Sequence, residues 1–163
     1  EHKLDNKRSV QANCIFNQMA GCTAVFNRKL LIKMKEYLPK KIYGHDVWCY
    51  RLCAAMGGEI IVEKGGHILY RQHENNAIGL GFGIKNKLNR AVDYIFKYNA
   101  SSYALEILNG YGNQLNEKWK KFFEEICDNS LIGKWKILTN RSIIFHSCEL
   151  RVLFVIKVLL GKL

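Results

Sequence analysis

The apolar positions of this chain change period near its middle. Residues 1–12 are polar and read as an irregular lead-in, and Asn13–Ala20 reads as a short helix stopped by Gly21. Cys22–Asn27 (CTAVFN) is rich in small and β-favouring residues and predicts a short buried strand. Arg28–Leu38 places Leu30, Leu31, Met34 and Leu38 at helical spacing with lysines on the other face, and Pro39 ends it. Asp46–Met56 is apolar nearly all round and closes on Gly57-Gly58, which predicts a buried helix. Glu59–Glu63 and His67–Gln72 flank a Lys64-Gly-Gly66 turn and read as two strands, followed by a polar loop over 74–83.

From Lys85 onward the period is helical. Leu88, Val92, Ile95 and Phe96 mark one amphipathic helix, and Tyr103–Leu108 marks another. Asn113–Asp128 is the clearest of all, with Leu115, Trp119, Phe122, Phe123 and Ile126 along one stripe. The last fourteen residues are strongly apolar with sparse cations. They are too few to cross a bilayer, which needs about 20. Two readings stand: an interfacial helix held by its apolar face and its Arg and Lys, or a packing helix. The expected fold class is therefore α/β over residues 13–80, with strands too few for a complete doubly wound sheet, followed by a mostly helical region.

Composition adds bounds. At 163 residues, 48% hydrophobic and 24% charged, the chain has the length and apolar content of one folded domain. The net charge of +11 is spread over both halves without a basic tail, which argues against an arm that grips nucleic acid. It favours anionic partners, such as phosphorylated substrates or an acidic membrane surface. Six cysteines include no CxxC pair, against a zinc ribbon or a dithiol redox centre. Cys49 and Cys53 fall on one helical face and read as buried free thiols, and with no secretory signal a reducing cytoplasm is expected. The chain starts at Glu1, not at methionine, and reads as part of something longer.

Two clusters carry candidate chemistry. In Gly44-His45-Asp46-Val47-Trp48, a carboxylate at a helix start is either a cap, favoured by the dipole and the free N–H groups, or a general base. Trp48 offers a ring that can stack on a sugar. In Tyr70-Arg71-Gln72-His73, strand alternation sends Arg71 and His73 to one face. There they form either an exposed polar strand end or a pyrophosphate site, with Arg71 as a planar fork and His73 as a donor or metal ligand.

Taken in order, GCTAVFN (21–27), GHDVW (44–48) and ILYRQHENNAIG (68–79) resemble the second half of family 2 glycosyltransferases, the inverting GT-A-fold enzymes, and most closely their rhamnosyltransferase-like members. The resemblance covers residues 13–83. It implies a partial GT-A-type sheet, the acceptor-side half, in residues 1–83, and a helical C-terminal region with a basic apolar tail in residues 84–163.

By position it implies that Asp46 is the catalytic base that deprotonates the acceptor hydroxyl. It further implies that Gly21, Cys22 and Thr23, with His45 and Trp48, line the acceptor pocket. Arg71, Gln72 and His73 would lie by the donor diphosphate, with His73 a ligand to a divalent metal, Mg or Mn. The implied partners are a nucleotide-sugar donor and a glycan or lipid-linked acceptor in bacterial cell-surface polysaccharide synthesis. Such enzymes carry a D-x-D-type motif in an N-terminal half, and Asp5, Asp46, Asp93 and Asp128 are never two apart. The donor-binding half is expected to be missing and this piece inactive alone. The expected location is cytoplasmic, and where the apolar tail 150–163 acts as an interfacial helix it would be peripheral at the inner face of the membrane. The alternative is a small basic module that binds a membrane surface or RNA without catalysis.

Overall fold

The computed structural model describes residues 8–17, 19, 21–63, 68 and 84–163. In chain order the helices are α1 (Val10–Ile15), a single 3-10 turn (Gly21–Thr23), α2 (Arg28–Glu36), α3 (His45–Ala55), α4 (Ile84–Phe96), α5 (Ala100–Tyr111), α6 (Glu117–Cys127), α7 (Leu131–Thr139) and α8 (Cys148–Leu159). Their starts follow from local chemistry. Ser9, Asn27, Asn99, Asn116 and Ser130 each precede a helix, and each side-chain oxygen accepts a first-turn backbone N–H. Such caps satisfy donors that a helix leaves unpaired at its start.

The expected α/β sheet is not there: none of the described residues forms a strand. Cys22–Asn27 is instead the end of the 3-10 turn and an irregular run, with Val25 98% exposed. Glu59–Glu63 is also irregular, with Ile61 78% exposed. A strand is stable only when a neighbour takes up its backbone donors and acceptors, and among the described residues neither segment has one. Of the third expected strand, residues 67–72, only Ile68 is described. The expected loop over 74–83 lies outside the described residues.

The helical readings fare better. The predicted helices at 28–38, 46–56 and 113–128 are α2, α3 and α6 to within a few residues. The N-terminal helix is displaced, because Ser9 caps it early and it ends at Ile15, well short of Gly21. The two regions on either side of residue 83 share one hydrophobic cluster, which includes Cys14, Leu52, Ile107, Phe123 and Val158. Within it the predicted stripe of α6 is fully used: Trp119 stacks on Phe123 at 5.6 Å between ring centroids, and Phe122 meets Trp119 edge-on at 5.5 Å.

The C-terminal segment is a packing helix on one face. Phe154 and Val158 of α8 are buried. So is Lys157, whose ammonium donates to the carbonyls of Tyr94 (2.8 Å) and Tyr98 (2.5 Å). It thereby caps the C-terminal end of α4, where a cation is favoured by the dipole. Burial and the nearby Arg51 guanidinium pull its pKa down to about 8.

Core and surface positions separate in a simple test. Phe123→Ala, at a site 1% exposed, should cost about 3–5 kcal/mol in urea unfolding. Leu131→Ala, at a site 86% exposed, should stay within about 0.5 kcal/mol of the parent. Equal effects would contradict the placement of α6 in the core.

Candidate functional site

The site is built where the 3-10 turn meets the start of α3. Gly44 is the N-cap, extended at φ −154° and ψ 137°, and Asp46 sits in the first turn. The Asp46 Oδ1 accepts the backbone N–H of Val47 at 2.9 Å, which holds the carboxylate over the positive end of the helix. His45 beside it is exposed and Asp46 is half-buried.

Gly21 packs directly against this pair. A Cβ at Gly21 would lie 2.7 Å from His45 Nε2 and 3.5 Å from Asp46 Cβ, so only glycine leaves the imidazole where it stands. Two motifs more than twenty residues apart thus converge: Gly21 with His45 and Asp46. Cys22 and Thr23 continue the same turn and are exposed. Trp48 is placed differently. It is 2% exposed and its ring centroid lies 6.5 Å from that of Tyr37 and 6.3 Å from that of Tyr111, so its indole faces the core. Arg71, Gln72 and His73 lie outside the described residues. Among the described residues no three His, Cys, Asp or Glu side chains gather as a metal-binding set.

The positioning of Asp46 depends on α5, whose role the sequence reading missed. Tyr103, 3% exposed, turns its hydroxyl oxygen toward the chain before α3 and accepts the backbone N–H groups of Tyr43 (2.7 Å) and Gly44 (2.9 Å). One turn on, the Glu106 carboxylate accepts the Tyr37 hydroxyl (2.7 Å) and the Lys41 N–H (3.1 Å). Two turns on, Tyr111 donates its hydroxyl to the Lys33 carbonyl at 2.7 Å. Gly110 lets the Tyr37 ring approach, since a Cβ there would fall 2.5 Å from it.

Arg51 completes this support from α3. Its guanidinium lies 4.2 Å from the Tyr103 ring centroid, a cation–π contact, while burial lowers its pKa to about 10. The signal in the sequence was a tyrosine, a glutamate and a tyrosine, at 103, 106 and 111, set among the apolar positions of one helix. Buried polar groups of that kind need partners.

The Tyr37 hydroxyl, together with the Lys40 and Lys41 backbone, holds the Glu106 carboxyl below the usual carboxylate range. A depressed carboxylate contributes stability that is present above its unfolded pKa of about 4.3 and is lost as pH falls through the lower folded value. Glu106→Gln should therefore cost about 1–2 kcal/mol at neutral pH. Its urea midpoint should also fall less steeply than that of the parent between pH 5 and pH 3. Parallel pH profiles would contradict the contact.

Over 76 residues the chain is 30% identical to the dTDP-rhamnosyl transferase RfbG of Shigella flexneri. The match takes in 43% of this chain and 26% of that protein, so the chain spans about a quarter of the relative's length. No protein-family model and no solved structure matches it.

Proposed function

We propose that this chain carries the acceptor side of a glycosyltransferase that moves a sugar from a nucleotide-sugar donor to a glycan or lipid-linked acceptor with inversion, in bacterial cell-surface polysaccharide synthesis. The similarity to a dTDP-rhamnosyl transferase supports the class and makes dTDP-rhamnose the donor to try first. The observation that carries the reading is the convergence of Gly21 with His45 and Asp46 at the start of α3.

In this reading Asp46 is the general base. Inversion is a direct displacement at the anomeric carbon. The acceptor oxygen forms the new bond as the nucleotide diphosphate departs, and the hydroxyl proton passes to the Asp46 carboxylate. The bare backbone of Gly21 gives the His45 imidazole its place, and the acceptor would approach over the exposed turn at Cys22 and Thr23. The bonds that the Tyr43 and Gly44 amides donate to the Tyr103 hydroxyl hold the backbone leading into α3, which supports a base positioned before transfer.

Arg71, Gln72 and His73 are assigned to the departing diphosphate, with Arg71 as the cationic fork. A divalent ion, Mg or Mn with His73 as a ligand, belongs to the same proposal. The described residues offer it no ligand set.

The test uses the native protein that carries this chain, with dTDP-rhamnose and lipid-linked glycan acceptors. Asp46→Asn should lower transfer by about 10²–10⁴-fold, the contribution typical of a positioned base, with the melting temperature unchanged. Transfer by Asp46→Asn at the parent rate would overturn the assignment.

A further inference from the structure

The strongest unexplained feature lies away from Asp46, on the hairpin formed by α7 and α8. On α7, Leu131, Ile132 and Trp135 share one face at helical spacing and are 86%, 67% and 68% exposed. On α8, Val152, Ile156 and Leu159 repeat at i, i+4 and i+7 opposite the buried Phe154 and Val158, and are 56%, 37% and 61% exposed. Large apolar side chains exposed in such runs mark an interaction surface.

The two faces belong to one unit. Lys134 of α7 donates to the Leu159 carbonyl at 3.1 Å, and Gly161 closes against the Asn129 side chain. These contacts set the end of α8 beside the start of α7, so the two helices pack as an antiparallel pair and each keeps an exposed apolar face.

Charge selects the occupant. Between Asn129 and Leu163 the sequence contains one carboxylate, Glu149, against Lys134, Lys136, Arg141, Arg151, Lys157 and Lys162. Lys136, Arg141, Arg151 and Lys162 are exposed on the hairpin. A second copy docked about a two-fold axis would bring the same cations face to face, which is repulsive. An anionic lipid interface complements both properties at once: the acyl boundary takes the apolar side chains and the headgroups take the lysines and arginines. Trp135 is the residue type favoured at that depth. No described helix is long and apolar enough to cross a membrane.

We infer that the α7–α8 hairpin binds the surface of anionic membranes, with Leu131, Ile132, Trp135 and Leu159 entering the interface and Lys136, Arg141, Arg151 and Lys162 contacting headgroups. The inference extends the apolar tail to a two-helix face. It is independent of the transferase reading, since a chain without catalytic activity would bind the same vesicles.

The experiment is co-sedimentation of the full chain with vesicles of phosphatidylcholine alone and with 30% phosphatidylglycerol, at low and high salt. Binding is expected to the anionic vesicles only and to weaken with salt. The double substitution Trp135→Ser with Leu159→Ser should lower partitioning at least tenfold while the circular dichroism and melting curve are retained. Trp48 and Trp119 are buried, so a blue shift of tryptophan emission on vesicle addition reports Trp135. Equal binding to neutral vesicles would overturn the inference, as would unchanged binding by the double variant. A dimer in sedimentation equilibrium that the double variant disperses, without vesicle binding by the parent, would overturn it in favour of a second copy.

Discussion

One polar face of α5 holds the N-terminal part of this protein in place. Tyr103, Glu106 and Tyr111 reach out of a buried helix and take hold of the connector from Lys33 to Gly44 at three points. Among the described residues that connector has no strand to pair with and little helix of its own, so α5 side chains take up part of its backbone hydrogen bonding and water takes the exposed remainder. The first of these contacts matters most for the candidate chemistry. Two adjacent N–H groups on one hydroxyl fix the residue that caps α3, and with it the direction in which Asp46 leaves the helix. Losing that hydroxyl would leave both amides to find water in a part-buried site, at a cost of about 0.5–1.5 kcal/mol each.

The packing around this face is aromatic. Tyr37, Trp48 and Tyr111 form a cluster with centroid separations of 6.0–6.5 Å, tying α3 and α5 together beneath the connector. Trp48, which the sequence offers as a sugar-stacking ring, belongs to this cluster because helical geometry sets it apart from Asp46. Two residues on along a helix is roughly 200° around its axis. The base candidate and its neighbouring aromatic therefore occupy opposite sides of α3, one toward the 3-10 turn and one toward the core.

Helices were legible in the sequence wherever an apolar stripe and a cap coincided. The stripe of Trp119, Phe122, Phe123 and Ile126 places α6, though its start falls four residues beyond Asn113 because the cap is Asn116, and Pro39 lies just past the end of α2. Strands were not legible, because a run such as Cys22–Asn27 states a preference for extended backbone but says nothing of a neighbour to pair with. With no paired neighbour among the described residues, the run stays irregular and Val25 stays in solvent. The meeting of Gly21 with His45 and Asp46 was accessible only through the family resemblance, since no local pattern links residues so far apart. The part of α5 was accessible in principle, through two tyrosines and a glutamate on a face that burial would otherwise reserve for leucine.

The account rests on the grip of the Tyr103 hydroxyl on the chain that leads into α3, and amide hydrogen exchange measures that grip directly. In the parent protein the Tyr43 and Gly44 amides should exchange slowly, though no helix contains them. In Tyr103→Phe they should lose that protection, while the amides of α6 and α8 keep theirs. Fast exchange at both positions in the parent, or unchanged protection in the variant, would contradict it.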